Sequence, residues 1–107
     1  NLDEAKTLIE RALAQDPDNG AYVDSLGWVY YHMGKIDEAI GYLERAAKLV
    51  TDDPVVFDHL GDAYVKRNDV EKARQQWQRA LELDANQPAI QEKLQRLIET
   101  HVTVPGP

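Results

Sequence analysis

The sequence predicts an all-α protein made of antiparallel helix pairs stacked side by side. Two observations carry this expectation. Leu26 to Leu60, Gly27 to Gly61, Tyr30 to Tyr64, Ala39 to Ala73 and Ala46 to Ala80 are each 34 residues apart, and Ala5 and Ala12 extend the interval backwards. A fixed period in this range marks supersecondary units that stack to share one core. Within each period, apolar residues recur at helical spacing on either side of a turn signal, so each unit is a helix pair.

The first helix is expected over 2–15, with Leu2, Ala5, Leu8, Ile9, Ala12 and Leu13 on one side and Asp3, Lys6, Glu10 and Arg11 on the other. Asp16-Pro17-Asp18-Asn19-Gly20 ends it, and Asp18 or Asn19 caps the second helix. That helix, over about 20–33, carries Val23, Leu26, Val29, Tyr30 and Met33, and Gly34 suits the left-handed residue that stops it. The third, about 37–50, places Ala39, Ile40, Leu43, Ala46 and Ala47 inward. Asp53-Pro54 is a strong start for a fourth helix over about 54–67, a capping carboxylate followed by proline at the first helical position. Asn68 then takes the role of Gly34, and Asp69 caps a fifth helix over about 70–83. Pro88 opens a last helix whose other faces are rich in Gln, Glu, Lys and Arg. After it, residues 102–107 lack a helical pattern and are expected to form a flexible tail.

Closely packed antiparallel helices need small residues where their backbones approach. Gly27 is expected to face Ala39, and Gly61 to face Ala73. A larger side chain at either glycine would overpack the contact, at a cost on the order of 1–3 kcal/mol. Ala46 and Ala80 serve the next close contact, between one hairpin and its neighbour.

The 107 residues suffice for one continuous core, and an apolar content of 43% fits a globular chain. A formal charge of −7 with no basic patch argues against nucleic acid as a partner. No apolar run approaches the roughly 20 residues needed to cross a bilayer, so direct membrane insertion is not expected. There is no cysteine, which removes disulfides and thiolate chemistry but leaves cytoplasm and periplasm both open. The chain opens in the middle of a repeat, with neither an initiator methionine nor a signal peptide, so a piece of a longer protein is expected.

At the recurring positions the sequence resembles the tetratricopeptide repeat family. The pattern reads Val23, Leu26-Gly27, Tyr30, Ala39, Leu43, Ala46, and again Phe57, Leu60-Gly61, Tyr64, Ala73, Trp77, Ala80. Ala5, Ile9, Ala12 and Pro17 supply a second half only. Val23 and Leu43 replace aromatics, and Thr51 and Ala85 stand where proline is usual. The resemblance implies a right-handed superhelix: half a repeat over 1–19, full repeats over 20–53 and 54–87, and a capping helix over 88–101. It also implies a concave groove, lined by the first helix of each pair, that binds a protein or peptide partner. The run Asp24-Ser25-Leu26-Gly27-Trp28 looks in addition like bacterial examples from envelope and secretion systems.

No constellation of catalytic groups is evident. His32, His59 and His101 sit at unrelated spacings, no phosphate loop is present, and the carboxylates suit solvated helix faces. Neither enzymatic activity nor a cofactor or metal is expected.

Groove positions stack at the same interval: Asp24, Asp58 and Glu92; Trp28, Asp62 and Arg96; Ser25, His59 and Lys93; Tyr31, Val65 and Glu99; His32, Lys66 and Thr100. The acids Asp24, Asp58 and Asp62 are expected around Trp28 and Tyr31, which favours an extended segment carrying Lys or Arg and an apolar or aromatic side chain. The opposing reading is that these acids pair with nearby cations. Relatives that grip a terminal carboxylate use Lys, Arg and Asn on these faces, and such a clamp is not assembled here. Trp28 serves either a ligand or a preceding repeat, whereas Trp77 belongs to the core. The first helix lacks a partner to cover Leu2, Ala5, Leu8 and Ala12, so self-association through this edge is the alternative reading.

Overall fold

The computed structural model describes residues 1–100. His101 and the expected flexible tail lie outside the described residues. Six α-helices succeed one another: α1 (Leu2–Gln15), α2 (Gly20–His32), α3 (Ile36–Leu49), α4 (Pro54–Lys66), α5 (Val70–Leu83) and α6 (Pro88–Thr100). No strand occurs among the described residues. Each boundary falls within a residue or so of the position expected from the apolar spacing.

Local chemistry explains the ends. Asn1 and Asn19 accept hydrogen bonds from the backbone N–H of Glu4 and Tyr22, and Asp53 accepts from Val55 ahead of Pro54. Gly34 and Asn68 both adopt left-handed backbone, φ 79° and 63°, and turn the chain between paired helices. Of the two residues expected to cap α2, Asn19 takes the role, and the side-chain cap expected of Asp69 is corrected. Asp18 does not cap α2 but lies 3.9 Å from Arg45. Asp69 stands at the start of α5, yet its side chain makes no capping bond, because Arg67 (3.7 Å) and Lys72 (3.8 Å) draw its carboxylate outward.

The most extensive packing joins α2 to α3 and α4 to α5, the two full hairpins. Smaller junctions, α1 on α2, α3 on α4 and α5 on α6, link them into an elongated body of 58 × 27 × 20 Å. One core cluster runs through Leu43, Phe57, Leu60, Tyr64, Trp77, Ala80, Ile90 and Leu97. A second joins Val23, Ala46 and Val56 between the hairpins, which is the role expected of Ala46.

The partners of the close-contact glycines differ from expectation. A Cβ at Gly27 would fall 2.7 Å from Leu43 Cγ, and one at Gly61 would fall 2.3 Å from Trp77 Nε1. The large residue one turn beyond each alanine, and not the alanine itself, occupies the space of the missing side chain. Helical side chains lean toward their helix N-terminus, which carries Leu43 and Trp77 over the glycines.

Candidate functional site

The first helices of the successive pairs, α2, α4 and α6, are tied to one another by polar side chains. Asp24 on α2 accepts from, or shares a proton with, His59 Nδ1 on α4 at 3.0 and 3.2 Å. On the next pair, Lys93 Nζ on α6 donates to Asp58 Oδ1 at 2.9 Å and to both oxygens of Asp62 at 3.0 and 3.1 Å. Asp24–His59 and Asp58–Lys93 each span 35 positions, one more than the repeat. The 34-residue interval sets these residues in separate columns. The helices are offset so that a residue in one column reaches the adjacent column of the next helix.

An aromatic cluster caps the first tie. Trp28 stacks on His59 at 3.9 Å and on Tyr31 at 4.6 Å, while His32 meets Trp28 edge-on at 4.7 Å. Trp28 thus has a partner inside the chain that neither sequence alternative foresaw. Among the described residues, Asp24 is the one charged side chain in the core, 9% exposed, and the imidazole satisfies it there.

The three acids expected around Trp28 and Tyr31 divide between two ties, with Asp62 near enough for its charge to act on Tyr31. Asp24 lies beside Trp28 through His59, but Asp58 and Asp62 gather on Lys93. Burial raises the Asp62 carboxyl above its ordinary range, and hydrogen bonds from Lys93 only partly oppose this. Burial lowers the Lys93 ammonium, but its bonds to Asp58 and Asp62 outweigh that and hold it above the ordinary lysine value. The Tyr31 hydroxyl is pushed up by burial and by the charge of Asp62, so the aromatic and ionic halves of the face adjoin.

The scaffold aims these groups directly. The Trp77 Nε1–H donates to the Asp58 carbonyl oxygen at 3.3 Å, pinning α4 at the turn that bears Asp58 and Asp62. Val65, Trp77, Lys93, Arg96, Leu97 and Thr100 line an open depression of about 250 Å³ next to that tie. Arg96 pairs with Glu92 along α6 at 2.5 Å, and Lys66 is exposed. The opposing reading of the sequence, that these acids pair with nearby cations, is what Asp58 and Asp62 do on Lys93; which cation serves is set by the packing of α6 on α4. The interval carries a signal for it, since Lys93 stands after Asp58 as His59 stands after Asp24.

Among the described residues no helix is long and apolar enough to cross a membrane. Stacked helix pairs with polar side chains linking their first helices define a helical-repeat scaffold. Residues 1–58 match the family model for the tetratricopeptide repeat, and residues 61–94 match a second model for the TPR repeat. The chain belongs to the tetratricopeptide repeat family. No curated protein matches it.

Solved structures of the same fold are numerous. The first TPR of Spaghetti (RPAP3), bound to the HSP90 peptide SRMEEVD, is 20% identical with a TM-score of 0.90, over 95% of this chain and 81% of that one. The first TPR domain of human RPAP3 is 21% identical with a TM-score of 0.87, covering 92% and 77%. The type III secretion translocator chaperone SycD of Yersinia enterocolitica is 21% identical with a TM-score of 0.77, covering 92% and 68%. At these identities the likeness concerns the fold.

Proposed function

We propose that the chain is a protein–protein interaction module whose concave face docks a partner segment bearing Lys or Arg and an apolar or aromatic side chain. The observation that carries this reading is the charge count at the second tie. Asp58 and Asp62 share the single ammonium of Lys93, which leaves surplus negative charge beside the Trp28–Tyr31 surface. The peptide bound by the Spaghetti repeat supports peptide docking as a use of this fold. Its acid-rich sequence does not suit the acids here, so its chemistry is not carried over. Asp24, Trp28, Tyr31, His32, Asp58, His59, Asp62, Lys66, Glu92 and Arg96 remain the groove residues of this proposal. A scaffold, with no catalytic role, is what the family's usual behaviour supports.

The test is selection from a displayed peptide library. Enrichment of Lys or Arg next to an aromatic residue is expected, with binding lost in the Asp24→Lys, Asp58→Lys, Asp62→Lys variant at unchanged helicity. Enrichment of acidic peptides, or binding indifferent to the charge reversal, overturns the reading. A second reading, self-association through the α1 edge at Leu2, Ala5, Leu8 and Ala12, is favoured by the exposure of Leu2 (40%) and Leu8 (63%). Sedimentation across a concentration range decides it, a monomer throughout speaking against.

A further inference from the structure

Three carboxylate oxygens converge on the ammonium of Lys93. Its Nζ lies 2.9 Å from Asp58 Oδ1 and 3.0 and 3.1 Å from the two oxygens of Asp62. Asp58 and Asp62 stand one turn apart on α4, with side chains 22% and 17% exposed. The lysine side chain is 35% exposed, so the acids are the fixed part of this contact and the ammonium is its open part. Two negative charges face one positive charge there. Lys93 also lines the open depression of about 250 Å³ whose apolar wall is Val65, Trp77 and Leu97. Its nitrogen lies 6.0 Å from the centre of the Trp77 ring. A bound ammonium and an apolar depression wide enough for an alkyl stem thus adjoin each other.

The geometry says which cation fits. An ammonium has three N–H donors about one point, and three oxygens surround this point. A guanidinium is a planar fork that pairs best with the two oxygens of one carboxylate. Arg96, on the next turn of α6, is turned instead onto Glu92 at 2.5 Å. Replacing one ammonium by another leaves the carboxylates satisfied, and Lys93 regains water by rotating its side chain while α6 stays in place. Within the docking proposed above, and resting on it, we propose that Lys93 is an internal stand-in for a lysine of the partner. The partner's stem lies along Val65, Trp77 and Leu97, its ammonium takes the acids, and Lys93 turns into solvent. The acid pair therefore selects lysine over arginine. It also binds more weakly than its charge alone would allow, because each docking event must first vacate the site.

Three blocked peptides test this, identical but for one position, two residues from a tryptophan, that holds lysine, arginine or Nε-acetyl-lysine. Each is titrated by calorimetry into the parent protein and into Lys93→Met, which keeps the stem and removes the ammonium. The lysine peptide should bind the variant about tenfold more tightly than the parent, the worth of a charge-assisted hydrogen bond gained without another given up. The acetylated peptide should gain nothing, and the arginine peptide should gain less than the lysine one. Equal affinities in the two proteins, or equal gains for all three peptides, would overturn the stand-in role. Failure of all three peptides to bind either protein would instead sink the docking beneath it. A second measurement needs no variant. In the parent, the NMR signals of the Lys93 ε-methylene, which lies near the Trp77 ring, should move to those of an exposed lysine as the lysine peptide saturates. Signals that stay put while the peptide binds would overturn the proposal as firmly.

Discussion

In the first full hairpin the space beside Gly27 is filled by Leu43, and in the second the space beside Gly61 is filled by the Trp77 indole. The indole brings an N–H, which it donates to the Asp58 carbonyl. The faces above differ in step. Over the first hairpin, Trp28 stacks on His59 and Asp24 binds the same ring; over the second, Asp62 and Asp58 hold Lys93. Equivalent positions thus share their backbone and their role as ties between hairpins, while the tie is aromatic in one case and ionic in the other. A repeat fixes where side chains stand, and the residue types placed there decide what that surface recognises.

The glycine contact is the place to break the comparison hardest. Gly61→Ala should destabilise the protein by up to about 3 kcal/mol, because the added Cβ meets a rigid indole and overpacking is costly. Gly27→Ala should cost less, since Leu43 has rotamers with which to yield and alanine recovers roughly 1 kcal/mol of helix propensity. Denaturant midpoints measure both, and the reverse order would show that the two hairpins do not share this contact.

The ties come next. Lys93→Met leaves Asp58 and Asp62 half-buried without a cation, and should cost about 1–2 kcal/mol, less than a fully buried pair because Lys93 is partly exposed. Hydrogen exchange should place the loss in α6 and the adjoining turn of α4. His59→Ala removes a stacking contact and the partner of Asp24, for about 1 kcal/mol, with a change in Trp28 fluorescence. A larger loss for His59→Ala than for Lys93→Met would invert the assignment of the ionic tie as the stronger.

Alkaline pH gives the smallest effect. The Tyr64 hydroxyl donates to Glu44 at 2.5 Å, and burial together with that bond pushes its pKa upward from 10.0. A folded pKa above the unfolded one means that this stability is full below pH 10 and falls as pH rises beyond it. The Lys93 ammonium, also held above its ordinary 10.5, has the same sign and a window starting slightly higher. Tm should therefore decline above pH 10, and less steeply in Tyr64→Phe than in the parent protein. Equal slopes would remove Tyr64 from the account.

Much of this molecule is local in origin and was legible in the chain. Apolar residues at helical spacing, Asn19 and Asp53 as caps, and Gly34 and Asn68 as left-handed stops set six helices to within about a residue. They do so because backbone hydrogen bonding and φ preference are decided within a turn or two. The 34-residue interval then fixed which positions are equivalent. It did not fix what equivalent positions touch. That Gly61 lies beneath Trp77 and not Ala73, that Asp24 reaches His59 one column over, and that Trp28 folds onto the same ring were decided by the tertiary structure. Contact between neighbouring helices depends on their offset and on the lean and reach of side chains, and these are set only when the helices pack.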